Sequence, residues 1–454
     1  MTFSIKKQEQ LVDIAQPGIT AAIPSDITVR LGSEIISTIM TGYTGAVAIR
    51  LWNDALAHGS FNAPCTLIIR SPVALRDLLL HRDLLRLADS YLTNDIDVEG
   101  DFECLFDLRM HLSSLNLSLG TRLKLMFKAM RLPGKHKTGS IKKWRARLAA
   151  HRNSRASIAH HYDVSNEFYG QWLDPQMVYS CAYFHNEQQT LADAQTDKLD
   201  ILCRKLRLQP GQALLDIGCG WGALAIHAAR NYGVTVHGIT LSEEQQKFAV
   251  NRVREEGLEQ QIKIELRDYR DLPDEGLYDR VVSVGMFEHI GIKNFPVYFN
   301  KVKQVLKPDG LFLNHGITSE TGWERTPLTR FMNRYIFPDG ELARVGTVVE
   351  AMESAGFETL DVESLRKHYA LTLRKWVAKL EQNREQVIHH SSDVTYRLWR
   401  LYMAGCAYYF DEGSIGLYQV LVGHRHQLQP VPLCRDDIYV AATDKQGQAP
   451  AFLT

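Results

Sequence analysis

Ala213-Leu214-Leu215-Asp216-Ile217-Gly218-Cys219-Gly220-Trp221-Gly222 is the stretch that decides the fold. A buried-strand pattern ends at Gly218, and a helical pattern, ALAIHAARNYG, starts directly after Gly222. Glycines here permit a tight turn and let the backbone approach a ligand closely. The start of the helix offers N–H groups without intrahelical partners, which suit a carboxylate or a phosphate. A dinucleotide fingerprint would want Gly-x-Gly-x-x-Gly and an acidic residue about 20 positions on. Here the third glycine comes one position early. The next strand, VTVHGI, ends at Gly238-Ile239-Thr240 with no acid at its tip, which disfavours a nicotinamide cofactor.

Working outward, Gly233 lies near the end of the first helix. Ser242 is placed to cap the helix EEQQKFAVNRVREE. IKIEL, RVVSVGM and GLFLNH read as further strands. The alternation predicts a parallel, doubly wound sheet with its ligand at the carboxyl ends of the strands. Asp268-Tyr269 follows the third strand, at the sheet's open edge. There the acid would accept from an adenine amino group and the ring would stack on it. Asp-x-Gly-x-Gly-x-Gly resembles motif I of S-adenosylmethionine-dependent methyltransferases, a superfamily-level likeness.

A chain of 454 residues exceeds one ordinary core, so two domains are expected. Residues 1–130 mix short strands and amphipathic helices, as in TLIIRSP and VALRDLLLHRDLLRLADSYL, and read as a small α+β domain. Residues 131–158 open on LPGKHKTGS and read as a basic linker with a helical stretch. Residues 159–454 carry the α/β pattern. No apolar run is long enough to span a bilayer, and MTFSIKKQEQ lacks a signal-peptide pattern. Seven dispersed cysteines argue for a reducing compartment and against a disulfide framework or zinc site. A cytoplasmic protein with no metal is the expectation.

The formal net charge is zero, yet Arg122 to Arg155 holds twelve Lys or Arg and no Asp or Glu. One concentrated basic segment in a neutral chain points to an anionic surface, here a membrane rather than nucleic acid. Trp144 and Leu148 would add an apolar face if the segment is helical. A solvated linker is the plainer alternative.

Further motifs narrow the superfamily. They are Ile158-Ala-His-His-Tyr162-Asp163-Val-Ser-Asn166-Glu-Phe168-Tyr169, Tyr179-Ser180-Cys181-Ala182-Tyr183-Phe184, Ile239-Thr240-Leu241-Ser242-Glu-Glu-Gln245, Met286-Phe287-Glu288-His289-Ile290-Gly291, and His368-Tyr369-Ala-Leu-Thr372-Leu373. Together they resemble the cyclopropane-fatty-acyl-phospholipid synthases and mycolic acid cyclopropane synthases. The likeness runs from about 158 to 425, through Arg334-Tyr335-Ile336-Phe337-Pro338-Asp339-Gly340. A weaker one covers Leu87–Leu92 and Asp95–Gly100.

The resemblance implies a Rossmann-like methyltransferase domain preceded by a smaller α+β lipid-binding domain. It implies cofactor contacts at Tyr179, Ser180, the 214–222 turn (Asp216, Gly218, Cys219, Gly220, Trp221, Gly222), Thr240, Leu241, Ser242, Gln245, Asp268 and Tyr269. It implies a bicarbonate ion beside the substrate carbon, held by Cys181, Glu288, His315, the Ile317 backbone and Tyr369. Cys406 matches an older catalytic-cysteine position. It ranks behind the others because it sits in the helical, aromatic stretch WRLYMAGCAYYF. The implied substrates are unsaturated phospholipid acyl chains, met at the inner face of the membrane by a peripheral enzyme. Relatives of this kind are often dimers, and no interface is readable here.

The chemistry suits these residue types. An alkene is a weak nucleophile, so a sulfonium methyl is needed, and attack leaves a carbocation that a dry pocket must protect. Tyr183, Phe184 and Phe287 are candidate aromatic stabilisers. A proton then leaves the new methyl group, for which the base's position matters more than its strength. Glu288 is expected to orient His315 or to share a proton with the bicarbonate. Each residue also has a plainer reading: Cys181 as core, His315 as partner of a buried carbonyl, Tyr369 and Glu288 in structural hydrogen bonds. His289, His160, His161 and His424 keep the plainer reading.

Three rival functions remain on sequence. They are an alkene methylase with a branched or otherwise modified product, a small-molecule methyltransferase, and a non-catalytic lipid-binding protein. The stretch Glu363–His368 lacks a carboxylate expected nearer Tyr369, and RHQLQPVPLCRDDIYV carries no readable motif.

Overall fold

The computed structural model describes residues 26–81, 84–134, 165–324, 326–337 and 340–439. The expected linker from residue 135 on, with Trp144 and Leu148, lies outside the described residues. So do Ile158–Tyr162, His160, His161, Pro338-Asp339 and everything beyond 439.

The first part folds as α1 (Asp26–Ile39), β1 (Val47–Arg50), β2 (Leu56–His58), β3 (Cys65–Ile69), α2 (Pro72–His81), α3 (Leu84–Leu92), β4 (Ile96–Gly100), α4 (Cys104–Ser114) and α5 (Leu119–Met130). Its sheet has the order β2-β1-β3-β4, with β1 and β3 parallel and the outer pairs antiparallel. Leu31, Ile35 and Ile36 recur at helical spacing on α1 and are buried.

The second part begins with α6 (Asn166–Gly170), α7 (Leu191–Lys205), β5 (Ala213–Ile217), α8 (Ala223–Tyr232), β6 (Thr235–Thr240), α9 (Glu243–Glu255), β7 (Ile262–Leu266) and β8 (Tyr278–Val284). It continues with α10 (Phe295–Val305), β9 (Leu306–Ser319), α11 (Pro327–Tyr335), α12 (Val345–Ser354), β10 (Phe357–Ser364) and α13 (Arg366–Gln382). It ends with α14 (Arg384–His389), α15 (Asp393–Glu412), β11 (Ile415–His424) and α16 (Asp436–Tyr439).

Seven strands form one sheet in the order β10-β11-β9-β8-β5-β6-β7. The chain winds from β5 out to β7, then returns to β8 on the other side of β5. The carboxyl ends of β5 and β8 therefore bracket a switch point, where open α/β sheets bind ligands. The sequence predicts a parallel sheet, and the observed one is mixed. β11 runs against both neighbours, β9 and β10. The cause is local: α15 ends in a left-handed turn at Gly413, φ 103°. Two residues later Ile415 pairs with Ser319, at the carboxyl end of β9, so the strand has to run backwards.

Two expected end signals act as read. Ser242 Oγ accepts from Gln245 N at 3.3 Å, and Gly233 closes α8 in the left-handed region.

Helices α13 and α15 tie the two parts together. The Arg397 guanidinium donates to Asp97 Oδ1 at 3.0 Å, Asn94 Oδ1 at 2.8 Å and Asp393 Oδ2 at 2.9 Å. Arg400 donates to Glu381 at 2.6 Å and to the Val98 carbonyl at 3.0 Å. Arg374 makes a two-pronged pair with Glu103, both bonds 2.8 Å. Removing one member of a buried pair strands the other charge. Arg397→Met should lower the unfolding free energy by about 3 kcal/mol in urea titration.

Candidate active site

A cleft of about 380 Å³ opens at the carboxyl ends of β5, β6 and β8. Tyr179, Ser180, Asp216, Gly218, Cys219, Gly220, Trp221, Thr240, Leu241, Gln245, Asp268 and Tyr269 line it. Gly222 and Ser242, also expected on the cofactor, do not. A Cβ on Gly222, φ 84°, would stand 3.1 Å from Ala249 Cβ, so the glycine lets α8 and α9 pack. Ser242 is occupied as a helix cap.

The cleft fits the cofactor the sequence implies. Asp216 ends β5 buried, and its Oδ2 has no partner. Burial pushes its carboxyl up to about 7, against the pull of Lys198. Such an oxygen suits the ammonium of an amino-acid ligand. Thr240 Oγ1 donates to Gln245 Oε1 at 3.0 Å, fixing both beside the cleft. Trp221 Nε1 donates to Asn166 Oδ1 at 2.7 Å, tying the glycine turn to the motif on α6. Asp268 accepts from Arg270 Nε at 2.9 Å and Nη2 at 2.6 Å, so an adenine amino group would share that carboxylate with an arginine.

A second cavity of about 460 Å³ lies on the other side of the Tyr179–Cys181 segment. Its lining is mainly apolar, with Leu328, Met332, Phe337, Leu342, Leu373 and Phe410 among it. Cys181, Glu288, His315, Ile317, Tyr369 and Cys406, the six expected catalytic positions, all reach it. Tyr179, Ser180, Gly285 and His289 line both cavities and form the wall between them.

Hydrogen bonding sets the state of this wall. His315 is buried, and its Nδ1 meets Gln419 Nε2 at 3.1 Å. An amide N–H donating to Nδ1 leaves the ring proton on Nε2, which has no partner. Burial holds His315 well below the usual histidine range, so it is a neutral donor. Glu288 Oε1 accepts from the Ile317 N–H over a long 3.5 Å, and Oε2 has no partner. Burial pushes the Glu288 carboxyl up to about 7.

The Cys181 thiol donates to the Ala182 carbonyl at 3.2 Å, and burial holds it far above the usual thiol range. Burial pushes the Cys406 thiol up to about 12, which makes it a poor nucleophile. Tyr369 is buried, its ring 4.7 Å from that of Phe410.

Three expectations change. Glu288 bonds to the Ile317 backbone, and it is Gln419 that orients His315. Tyr183, Phe184 and Phe287 do not line the cavity. Tyr183 stacks on His368 at 4.7 Å, the Phe184 N–H donates to His368 Nδ1 at 3.0 Å, and Phe287 packs on Phe295 in the core. The aromatic lining comes from Trp323, Tyr369, Tyr402 and Tyr409 instead. His289, assigned a plain role, stands at the junction, and burial pulls it down to about 4.

Sequence reading also missed Lys198. It is buried on α7, and its Nζ donates to Ser180 Oγ at 2.9 Å. Burial pulls its ammonium down to about 8, opposed by Asp174, Cys181 and Asp216. Gln195, one turn earlier, donates to the Ser180 carbonyl at 2.9 Å. A lysine on the apolar face of LADAQTDKLDILCRK was the readable signal.

The switch-point cleft with its Asp-tipped glycine turn defines the class, an S-adenosylmethionine-dependent methyltransferase. A family model described as mycolic acid cyclopropane synthetase matches residues 149–420. The cyclopropane-fatty-acyl-phospholipid synthase of Escherichia coli (strain K12) is 36% identical over 404 residues, 88% of this chain and 94% of that one. A probable fatty acid methyltransferase of Pseudomonas putida is 48% identical over 298 residues, 63% of this chain and 74% of that one. The crystal structure of mycolic acid cyclopropane synthase CmaA1 complexed with SAH and CTAB superposes with a TM-score of 0.56 at 35% identity, covering 59% of this chain and 97% of that one. The protein belongs to the mycolic acid cyclopropane synthetase family.

Two tests follow from the wall. Lys198→Met removes a charged hydrogen bond to Ser180 and should weaken S-adenosylmethionine binding about tenfold in calorimetry. Glu288 is held above the 4.5 of an ordinary glutamate, so the folded protein keeps that proton more tightly than the unfolded chain. Its contribution is full below pH 4.5 and is lost as the pH rises through about 7. Without cofactor, Glu288→Gln should therefore melt above the parent at pH 8, by on the order of a few °C. That margin should shrink toward pH 5.

Proposed function

We propose that this protein transfers a methylene group from S-adenosylmethionine to the cis double bond of unsaturated acyl chains in membrane phospholipids. The product is a cyclopropane fatty acid, reached through a carbocation that bound bicarbonate deprotonates. The observation that carries this is the pair of cavities meeting at Tyr179–Cys181, one of mixed lining and built on the glycine turn, the other mainly apolar with orphan polar atoms at the junction. When bound, S-adenosylmethionine supplies the electrophilic methyl group and bicarbonate the base.

The residues of the chain do the rest. Leu328, Met332, Phe337 and Leu373 enclose the acyl chain and keep water from a cation forming on it. The faces of Tyr369, Tyr402 and Tyr409 offer stabilisation to that cation. The Nε2–H of His315 is a neutral donor for a small anion, and the Cys181 thiol becomes a second when it turns from the Ala182 carbonyl. Glu288, whose carboxyl burial pushes up to about 7, can hold the shared proton at Oε2. The N-terminal sheet and its helices are proposed to bind lipid, and the protein to work as a peripheral enzyme on the inner face of the membrane. None of the described helices is long and apolar enough to cross one.

A second reading is an alkene methylase with a branched product. The similarity to a probable fatty acid methyltransferase of Pseudomonas putida favours it. The same wall would serve both, because pocket shape decides the fate of the cation.

Incubation with S-adenosylmethionine and mono-unsaturated phospholipid vesicles, followed by acyl-chain mass and double-bond count, separates them. A gain of one CH₂ with loss of the olefin is expected. A methylated chain that keeps its olefin or gains oxygen moves the protein to the second reading. No modified lipid, with cofactor binding intact, sinks the phospholipid assignment. Glu288→Gln should lower turnover about 100-fold, and undiminished turnover would remove its proton-holding role.

A further inference from the structure

We propose that the outer face of α5, with the end of α4, is the surface that seats this protein on an anionic bilayer. The proposal rests on the acyl-lipid reading above and adds to it the place of contact. On α5, Leu119, Leu123, Met126, Phe127 and Met130 are between 42% and 78% exposed. Their spacing puts them within about 100° of the helix circumference. The opposite side is settled: Leu125 and Ala129 are buried, and Lys128 Nζ pairs with Glu34 at 2.9 Å. A water-facing stripe of five large apolar side chains on one short helix marks a contact surface.

Charge selects the partner. Helical geometry puts Arg122 on one flank of the stripe and Lys124 and Arg131 on the other. Among the described residues no carboxylate pairs with these three. From Arg122 to Arg155 the sequence holds no acid that a second copy could offer. A two-fold dimer through this stripe would bring cationic flanks together. A bilayer with anionic lipid presents what the surface lacks, an apolar interior beneath a layer of negative charge.

Continuity with the acyl cavity supports the same partner. Arg109 on α4 lines that cavity, donates to Tyr409 OH at 2.6 Å and lies over the Tyr409 ring at 5.6 Å. Met110 and Leu112, next along α4, are 62% and 44% exposed. The exposed apolar side chains of α4 thus follow directly along the chain from a residue that lines the acyl cavity.

The test uses the full chain carrying Leu123→Glu and Phe127→Glu, both exposed positions away from either cavity. Sedimentation is followed with vesicles of palmitoyl-oleoyl phosphatidylglycerol and phosphatidylethanolamine. Vesicle affinity should fall at least tenfold. Melting temperature, S-adenosylmethionine affinity and turnover of detergent-dispersed lipid should stay as in the parent. Undiminished vesicle binding overturns the proposal, whether the chain's own 135–164 segment or another partner then covers the stripe. It is equally overturned if light scattering shows the substitutions splitting an oligomer while vesicle binding holds. A parent protein that binds vesicles through these residues but modifies no lipid would defeat the catalytic reading and support the docking surface.

Discussion

The 2.9 Å hydrogen bond from Lys198 Nζ to Ser180 Oγ holds a buried charged group against the wall between the two cavities, in the lining of the cofactor cleft. A buried ammonium persists only where partners surround it. Here Asp174 and Asp216 supply the opposite charge. Asp174 in turn accepts from the N–H groups of Gln176 and Val178, both at 2.9 Å, and so closes the turn that leads into Tyr179. The Tyr179 ring then packs among Trp172, Trp376 and Trp399 within 5.8 Å. One helix face, Gln195 and Lys198, thereby fixes the strip of chain on which both cavities depend.

The second constraint is the reversed strand. Because β11 runs against β9, Gln419 falls opposite His315 and its amide sets the imidazole tautomer. The chain between β10 and β11 forms α13 and α15, and α15 has two occupied faces. Tyr402, Cys406 and Tyr409, at helical spacing, line the acyl cavity. Arg397 and Arg400 bond to the N-terminal part. The same insertion therefore adds a cavity to a cofactor-binding sheet and attaches the smaller sheet beside it.

Local signals explain what was legible in the sequence. The β5 turn, the Ser242 cap and the Gly233 stop each depend on residues within a few positions, and they appear where the pattern puts them. The six positions around the apolar cavity were named through family motifs, and they come together although they lie on five separate stretches of chain. Relations set by strand pairing were not legible. Nothing in IGLYQVLVGH shows that it enters the sheet backwards, so the Gln419–His315 contact was hidden. Aromatic residues near the motifs, Tyr183 and Phe287, looked suited to the cavity, but their neighbours turn them toward His368 and the core. The cavity's actual rings arrive from α13, α15 and the 320–326 stretch, too far along the chain for spacing to connect them.

Neutrality at the junction bears on the proposed chemistry. Burial is the largest cause that drives Glu288 up, His315 and His289 down, and the Cys181 thiol up, with the Lys198 and Lys205 charges adding to it at His315, so each group there tends to its uncharged form. An anion held by an arginine or lysine would lose basicity, because a nearby cation favours its deprotonated form. Neutral N–H, S–H and carboxyl donors hold it while lowering its basicity less. They also place no fixed positive charge beside a sulfonium or a cation forming on the substrate. Cations do reach the cavities, among them Lys198 in the cofactor cleft and Arg109 in the apolar one, and each of these is engaged, with Ser180 Oγ and with Tyr409 OH. Desolvation, which costs stability at every one of these groups, is in this reading what keeps a weak base strong enough to take a proton.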